Sequence, residues 1–274
     1  MSTIPECRLI VDEPSQGTWN MGVDEALLED AAENGVATLR FYRWSEPTLS
    51  LGYFQRYQDR EEHVGSRECA VVRRQTGGGA ILHDRELTYS IALPAAHPLA
   101  KKSQELYSAV HDAFIAVLAP LLMSNGSQWT LRHRLQGCSA PAATEPFLCF
   151  QRRACGDVIL EPNHSVGRRT DLDSAVVAED VKILGSAQRR HRGAILQHGS
   201  LLLEESEHAP ELAGWRDLTG IASSIDKVLQ DVSSEICSVL RLQPAQFEMS
   251  PQLESRATEI ANNKYGSVAW TKRR

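Results

Sequence analysis

The sequence predicts an α+β fold, and three observations lead there. Segments with strand periodicity come in runs instead of alternating one by one with helices, which disfavours a doubly wound sheet. Helical patterns are grouped in the same way, at 18–33, at 103–122 and from about 224 onward. The 274 residues show no internal repeat and no low-complexity block. One domain over residues 1–274, with mixed sheets flanked by helices, is therefore expected.

Taken in order, residues 18–33 (TWNMGVDEALLEDAAE) put Met21, Ala26, Leu27 and Leu28 near helical spacing. Asp24, Glu25 and Glu29 suit the solvent face, and Asn34-Gly35 supplies a stop. RFYRW (40–44) and TLSLGYF (48–54) read as strands around a Ser45-Glu46-Pro47 turn, and AVVRR (70–74) as a third strand. The glycine run after it is a loop. AILHD and LTYSIAL are strands beyond the loop, closed by Pro94 and Pro98. Residues 103–122 carry Leu106, Val110, Phe114, Val117, Leu118 and Leu121 at helical spacing. Residues 124–147, rich in Ser, Gly, Pro and Ala, read as irregular. Strands resume at DVIL (157–160), VKILGSAQ (181–188) and AILQHGSLLL (194–203), with a polar, mobile insert expected at 161–180. From about 224 two helices are expected, split by LQPAQF.

Composition narrows the function. Hydrophobic residues make up 42% and charged residues 23%, as in an ordinary soluble globular protein. No basic segment followed by an apolar run opens the sequence and no apolar run is long enough to cross a bilayer, so a cytoplasmic protein is expected. Six cysteines stand at 7, 69, 138, 149, 155 and 237 without any C-x-x-C pair, which gives no support for a metal site and suggests reduced thiols. The net charge of −6 argues against nucleic-acid binding. Arginines nonetheless cluster at Arg73-Arg74, Arg152-Arg153, Arg168-Arg169 and Arg189 to Arg192, either as solvated loops or as a docking surface for an acidic partner.

Chemistry concentrates in RRQTGGGAILHD (73–84). Gly77, Gly78 and Gly79 remove side chains, so backbone N–H groups can approach a phosphate or a carbonyl oxygen. No Gly-Lys-Ser/Thr follows, so this is not a P-loop, and the spacing is not that of a dinucleotide fingerprint. A glycine triplet between strands is otherwise a turn. Lys182 opens an apolar strand; there it faces solvent, or turns inward and polarises an activated carbonyl. Gln197-His198-Gly199 reads as a bulge or turn in a hairpin unless it joins the site. Cys149, between Leu148 and Phe150, is a small core residue unless Arg152 and Arg153 stabilise its thiolate.

Together, N-M-x-x-D-E-A-L-L (20–28), R-F-Y-R-W (40–44), S-L-G-Y-F-Q (50–55), R-R-Q-T-G-G-G-A-I-L-H-D (73–84) with E-L-T-Y-S (86–90), V-K-I-L-G-S-A-Q-R-R (181–190), G-A-I-L-Q-H-G-S-L-L-L (193–203) and K-Y-x-x-x-x-W (264–270) carry a resemblance that covers nearly the whole chain. It resembles the lipoate–protein ligase and octanoyltransferase family, which shares the biotin/lipoate ligase catalytic fold. C-F (149–150) ahead of the Lys182 strand and the S-A-Q-R-x-x-x-G-x-I-L-Q-H-G-S block (186–200) are similar to the LipM-type cysteine octanoyltransferases. After Leu203 the accessory domain of many ligases is not expected.

The resemblance implies octanoyl transfer from acyl carrier protein through a cysteine thioester to a lysine of a lipoyl domain, such as glycine cleavage H protein or a 2-oxoacid dehydrogenase E2. Cys149 would be the nucleophile, with Cys155 the alternative. Lys182 would hold the acyl carbonyl oxygen, and Arg74, Gly77, Gly78, Gly79, His83, Ser186, Gln197, His198 and Gly199 would shape the pocket. Either His83 or His198 would serve any need for a general base. The transferase needs no cofactor, because a thioester is already activated. Alternatives are an ATP- and Mg-dependent lipoate ligase, a lipoyl-domain amidotransferase and a non-catalytic lipoyl-domain binder.

Overall fold

A computed structural model describes residues 4–134, 145–163, 180–222 and 224–274. The elements run β1 (Glu6–Val11), α1 (Gly17–Asn34), β2 (Ala37–Tyr42), β3 (Thr48–Leu51), β4 (Ala70–Arg73), β5 (Ile81–His83), β6 (Glu86–Leu93), α2 (Ser103–Ser124), β7 (Trp129–His133), β8 (Val158–Pro162), β9 (Val181–His191), β10 (Ala194–Leu202), α3 (Trp215–Thr219), α4 (Ile225–Val239), β11 (Gln243–Gln246), α5 (Pro251–Ile260) and α6 (Val268–Thr271). An eight-stranded sheet takes the order β11-β1-β2-β6-β10-β9-β8-β7, and a three-stranded sheet the order β4-β3-β5. The large sheet is parallel where β1 meets β11 and β2 and antiparallel at its other pairings. The α+β expectation is met.

Strand alternation divides the core. Leu39, Phe41, Tyr89, Ile91, Ile195 and Leu201 face α2 and α4, meeting Leu106, Val110, Phe114, Val232 and Ile236. Tyr42, Ala92 and Leu196 face α1 and α5, meeting Met21, Leu27, Leu28, Leu253 and Ile260. By length and composition α2 is apolar enough to cross a membrane; in this fold its face of Leu106, Val110, Phe114, Leu118 and Leu122 is buried in the first core.

Several expectations change. α1 ends where predicted, with Gly35 at φ 71° in the left-handed region. Asp24, however, is buried, not solvent-facing. β7 lies in the stretch read as irregular, because Leu131 pairs with Leu160 across an antiparallel ladder. β1 and β11 are additional strands. The sequence QPAQ has no strand pattern of its own and is held by parallel pairing to β1. Gln197, His198 and Gly199 pair without interruption to β6 and β9, so they form neither bulge nor turn. The register shift lies instead between Val158 and Ile159. The insert expected at 161–180 lies, from 164 to 179, outside the described residues, as do Cys138, Arg168 and Arg169.

Candidate active site

The register of the large sheet builds the first layer. Arg40 on β2, Ser90 on β6 and His198 on β10 stand side by side across three strands. Asp24 on α1 sits over this row. It accepts from Arg40 Nη1 at 3.0 Å, Ser90 Oγ at 2.8 Å, Tyr42 Oη at 3.0 Å and His198 Nδ1 at 3.0 Å. Burial pushes the Asp24 carboxyl up, but the His198 hydrogen bond and the Arg40 charge outweigh it and hold the carboxyl below its usual range. With Nδ1 donating to that carboxylate, His198 Nε2 accepts from Thr76 Oγ1 at 2.7 Å.

His83 repeats the arrangement. Its Nδ1 donates to Glu86 Oε1 at 2.5 Å and its Nε2 meets Ser50 Oγ at 2.7 Å, while its ring stacks on Trp44 at 3.8 Å. Burial lowers its pKa despite Glu86, so the ring is neutral at neutral pH. Both histidines were candidates for a general base. Each has one ring nitrogen on a carboxylate and the other on a hydroxyl.

Both hydroxyls converge on Arg74. Its Nε donates to Thr76 Oγ1, Nη1 to the Ser50 carbonyl and Oγ, and Nη2 to the carbonyls of Gly77 and Gly79, each at 2.7 Å. All five guanidinium donors are spent on protein. Burial lowers its pKa to about 10, and the guanidinium stays charged at neutral pH. Arg73 is buried as well and braces the carbonyls of Gly52, Gln55 and Thr271. Arg74 is therefore a scaffold for the glycine loop, and Arg73 for the turn that follows β3. Pulling the Gly77 carbonyl onto Arg74 turns the N–H of Gly78, on the far side of the same trans peptide, away from the guanidinium. Gly78 holds φ 94°, a conformation side chains resist. Gly79 faces Arg152 and the Phe147 carbonyl.

The loop's last link fixes the thiol. Ala80 N–H donates to the Phe147 carbonyl at 3.0 Å, and Cys149 N–H donates to the Ala80 carbonyl at 2.7 Å. This short bridge sets Cys149, at the head of a one-turn 3-10 helix (Cys149–Gln151), beside the loop. Lys182 of β9 comes from the opposite side. Its Nζ lies 3.8 Å from Cys149 Sγ, 3.4 Å from the Cys149 carbonyl and 2.9 Å from Asp157 Oδ2. Lys182 and Asp157 are 3% and 1% exposed, so this is a desolvated ion pair next to a half-buried thiol. Asp157 also accepts from Tyr107 Oη at 2.9 Å and Ala154 N–H at 2.7 Å. Burial and the Asp157 charge push the Tyr107 hydroxyl well up, so it donates. A Cβ on Gly185 would lie 2.4 Å from Lys182 Cε; the bare backbone there lets the lysine fold back along its own strand. Cys155 is disulfide-bonded, which removes it as a nucleophile and corrects the expectation of uniformly reduced thiols.

These groups open on one cleft. Met21, Tyr42, Ile81 and Phe150 give it apolar walls, and Arg74, Gly77, Gly78, His83, Cys149, Ser186, His198 and Gly199 line it as well. Ser186 belongs to a chain of hydrogen bonds. Gln188 donates to Gln197, Gln197 to Tyr89, and Tyr89 meets Ser186 Oγ at 2.6 Å. Ser186 Oγ lies 2.7 Å from His111 Nε2, and His111 Nδ1 donates to the Gly156 carbonyl at 2.7 Å. Burial holds the His111 imidazole down to about 3, so it is neutral and accepts from Ser186. Gln197 is thus bound to Tyr89 and Gln188 behind the cavity wall.

Of the residues picked from sequence, the fold gathers Cys149, Lys182, Arg74, Gly77, Gly78, His83, Ser186, His198 and Gly199 around one space, with Lys182 placed by its contact to Cys149. Gly79 and Gln197 turn elsewhere. Sequence reasoning missed Asp157, Tyr107, His111, Asp24 and Glu86. Asp157 left one trace, an acidic residue heading the apolar run DVIL.

A cysteine thus lies beside a buried Lys–Asp pair, at a cleft with apolar walls lined in part by the glycine loop. Residues 16–247 match the lipoyl protein ligase A/B catalytic domain. An octanoyltransferase LipM of Brevibacillus brevis is 37% identical over 204 residues, spanning 72% of this chain and 66% of that protein. An octanoyltransferase LipM of Kyrpidia tusciae is 30% identical over 297 residues, spanning 97% and 98%. The structure of a putative lipoate protein ligase from T. acidophilum superposes with a TM-score of 0.70 at 20% identity, covering 98% of this chain and all of that one, a likeness of fold. The chain belongs to the lipoyl protein ligase A/B catalytic-domain family, on its LipM-type octanoyltransferase branch.

Proposed function

We propose that the protein moves an octanoyl group from the thiol of an acyl carrier protein, through a thioester on Cys149, to a lysine of a lipoyl domain. The observation that supports this most is the Lys182 ammonium 3.8 Å from Cys149 Sγ, with Asp157 at 2.9 Å as its buried counterion. A cation at that distance offers a charge to the carbonyl oxygen during attack.

In the first half, Cys149 sulfur attacks the donor carbonyl. The new C–S bond forms, the donor C–S bond breaks, and the Cys149 proton ends on the departing thiol. In the second half, the neutral lysine amine of the acceptor attacks the Cys149 thioester. A C–N bond forms, Cys149 leaves, and one amine proton returns to it. Neither half requires ATP or metal, since the thioester carries its own driving force. The Gly78 N–H, turned away from Arg74, suits the oxygen that gains charge in both halves. The apolar cavity walls suit the eight-carbon tail.

Intact mass spectrometry after mixing with octanoyl-acyl carrier protein, without ATP, tests the reading. Wild type gains one octanoyl mass and Cys149→Ala gains none, while Cys155→Ala still acylates. Acylation of Cys149→Ala at the wild-type level, or transfer only when ATP and lipoate are supplied, rejects it.

A further inference from the structure

Among the described residues, the arginines of the sequence runs are mostly buried, paired or bound to backbone, Arg189 excepted. Arg73 and Arg74 are buried, Arg152 pairs with Glu145, Arg192 with Glu33, and Arg153 and Arg190 bind backbone carbonyls. Tertiary folding joins Arg189 to cations far along the chain. Arg189 and Arg273 lie over the ring of Tyr53 at 5.7 and 4.3 Å, and Arg274 lies over Phe54 at 5.3 Å. Lys272 joins them over the neighbouring Tyr57. All four cations are exposed, and none forms an ion pair among the described residues.

The aromatic rings of this group adjoin the glycine loop. Tyr53 N–H donates to the Thr76 carbonyl at 2.8 Å, immediately before the glycine loop, and Phe54 is the nearest side chain to Gly77. Phe54 is 66% exposed although large and apolar. Burial and then the charges of Arg273 and Arg274 lower the pKa of Arg73, which shows like charges crowded together. Uncompensated guanidinium groups around an exposed aromatic ring form a surface that an acidic partner covers well.

We propose that Arg189, Lys272, Arg273 and Arg274, set around Tyr53 and Phe54, dock the acidic acyl-carrier protein that donates the acyl group. The choice of donor over acceptor follows from chemistry. The donor's thiol arm is joined to its protein by a phosphodiester, which guanidinium forks bind well, and an acceptor lysine has no such anion. The inference rests on the transferase reading above.

The test compares wild type, Arg189→Ala/Arg273→Ala/Arg274→Ala and the corresponding triple change to Lys, each first checked for an unchanged melting temperature. Three rates are measured: acylation by octanoyl-carrier protein, acylation by the neutral thioester S-octanoyl-N-acetylcysteamine, and transfer from preacylated enzyme to a lipoyl domain. The alanine triple is expected to need roughly 10- to 100-fold more carrier protein for half-maximal acylation, with a flatter salt dependence, and the lysine triple to recover much of this. The other two rates stay within about twofold of wild type. Equal loss with the neutral thioester overturns the proposal, as does an unchanged carrier dependence. A loss confined to the lipoyl-domain step overturns it in favour of an acceptor surface. If wild type is acylated by neither thioester, the transferase reading itself fails and the proposal falls with it.

Discussion

Replacing Asp157 by Asn probes the site at one atom. The change keeps the shape and leaves one acceptor oxygen, for either Tyr107 or Ala154, but removes the counterion of Lys182. At 2.9 Å and an effective dielectric near 20, the attraction between the two charges is about 6 kcal/mol. Part of it offsets the cost of burying both groups, and breaking a buried pair by removing one partner typically costs about 3–5 kcal/mol. For a chain of this size the melting temperature should fall by roughly 6–20 °C. Acylation in a single turnover should fall roughly 100- to 1,000-fold, the loss seen when a charge-stabilising donor is removed. The double change Asp157→Asn/Lys182→Met separates the two effects. With no buried charge left unpaired, stability should recover most of its loss, while acylation stays low. Rates and melting are read by quenched-flow mass spectrometry and calorimetry. Wild-type acylation by Asp157→Asn would refute the role given to the pair, and an unchanged melting temperature would refute its burial energetics.

Three further outcomes follow from the same geometry. Gly185→Ala places a methyl 2.4 Å from Lys182 Cε, so acylation should drop about 100-fold for a displacement near 1 Å, with a modest melting shift; normal rates would mean that the lysine reaches Cys149 by another path. Arg74→Lys loses the five-donor clamp, so amide hydrogen exchange at Gly77 to Gly79 should accelerate along with a loss of roughly 2–4 kcal/mol in stability; unchanged protection would show that the loop holds itself. His111 is neutral in the fold, with its pKa down from 6.5 to about 3, so the unfolded chain binds the extra proton first as pH falls. Stability from this group is complete above pH 6.5 and is lost toward pH 3 at about 1.4 kcal/mol for each pH unit. His111→Gln should show a shallower acid limb in melting temperature against pH, and an identical slope would remove His111 as its source.

Much of this protein could be read from its residues. Periodicity placed α1, α2 and the main strands, and the family resemblance singled out the glycine triplet, Lys182 and Cys149, whose local patterns alone also fitted a turn, a solvent-facing lysine and a core thiol. Those signals are local, or depend on motifs that travel together along the chain. β11 could not be read, because QPAQ is a strand only through its neighbour β1. Nor could the burial of Asp24, which depends on Arg40, Ser90 and His198 meeting across three strands. The same holds for the functions of charge. The sequence shows which residues carry it, but the sign and strength of a charge's effect depend on distance and solvent. Only the fold brings Asp157 to 2.9 Å from Lys182, spends Arg74 on loop carbonyls, and joins Arg189 to Arg273 around Tyr53. The sequence alone therefore determined the family and most of the elements, and offered candidate reactive groups. The tertiary structure decided which groups face one another and which are spent holding the scaffold, because electrostatic energy follows separation in space rather than separation along the chain.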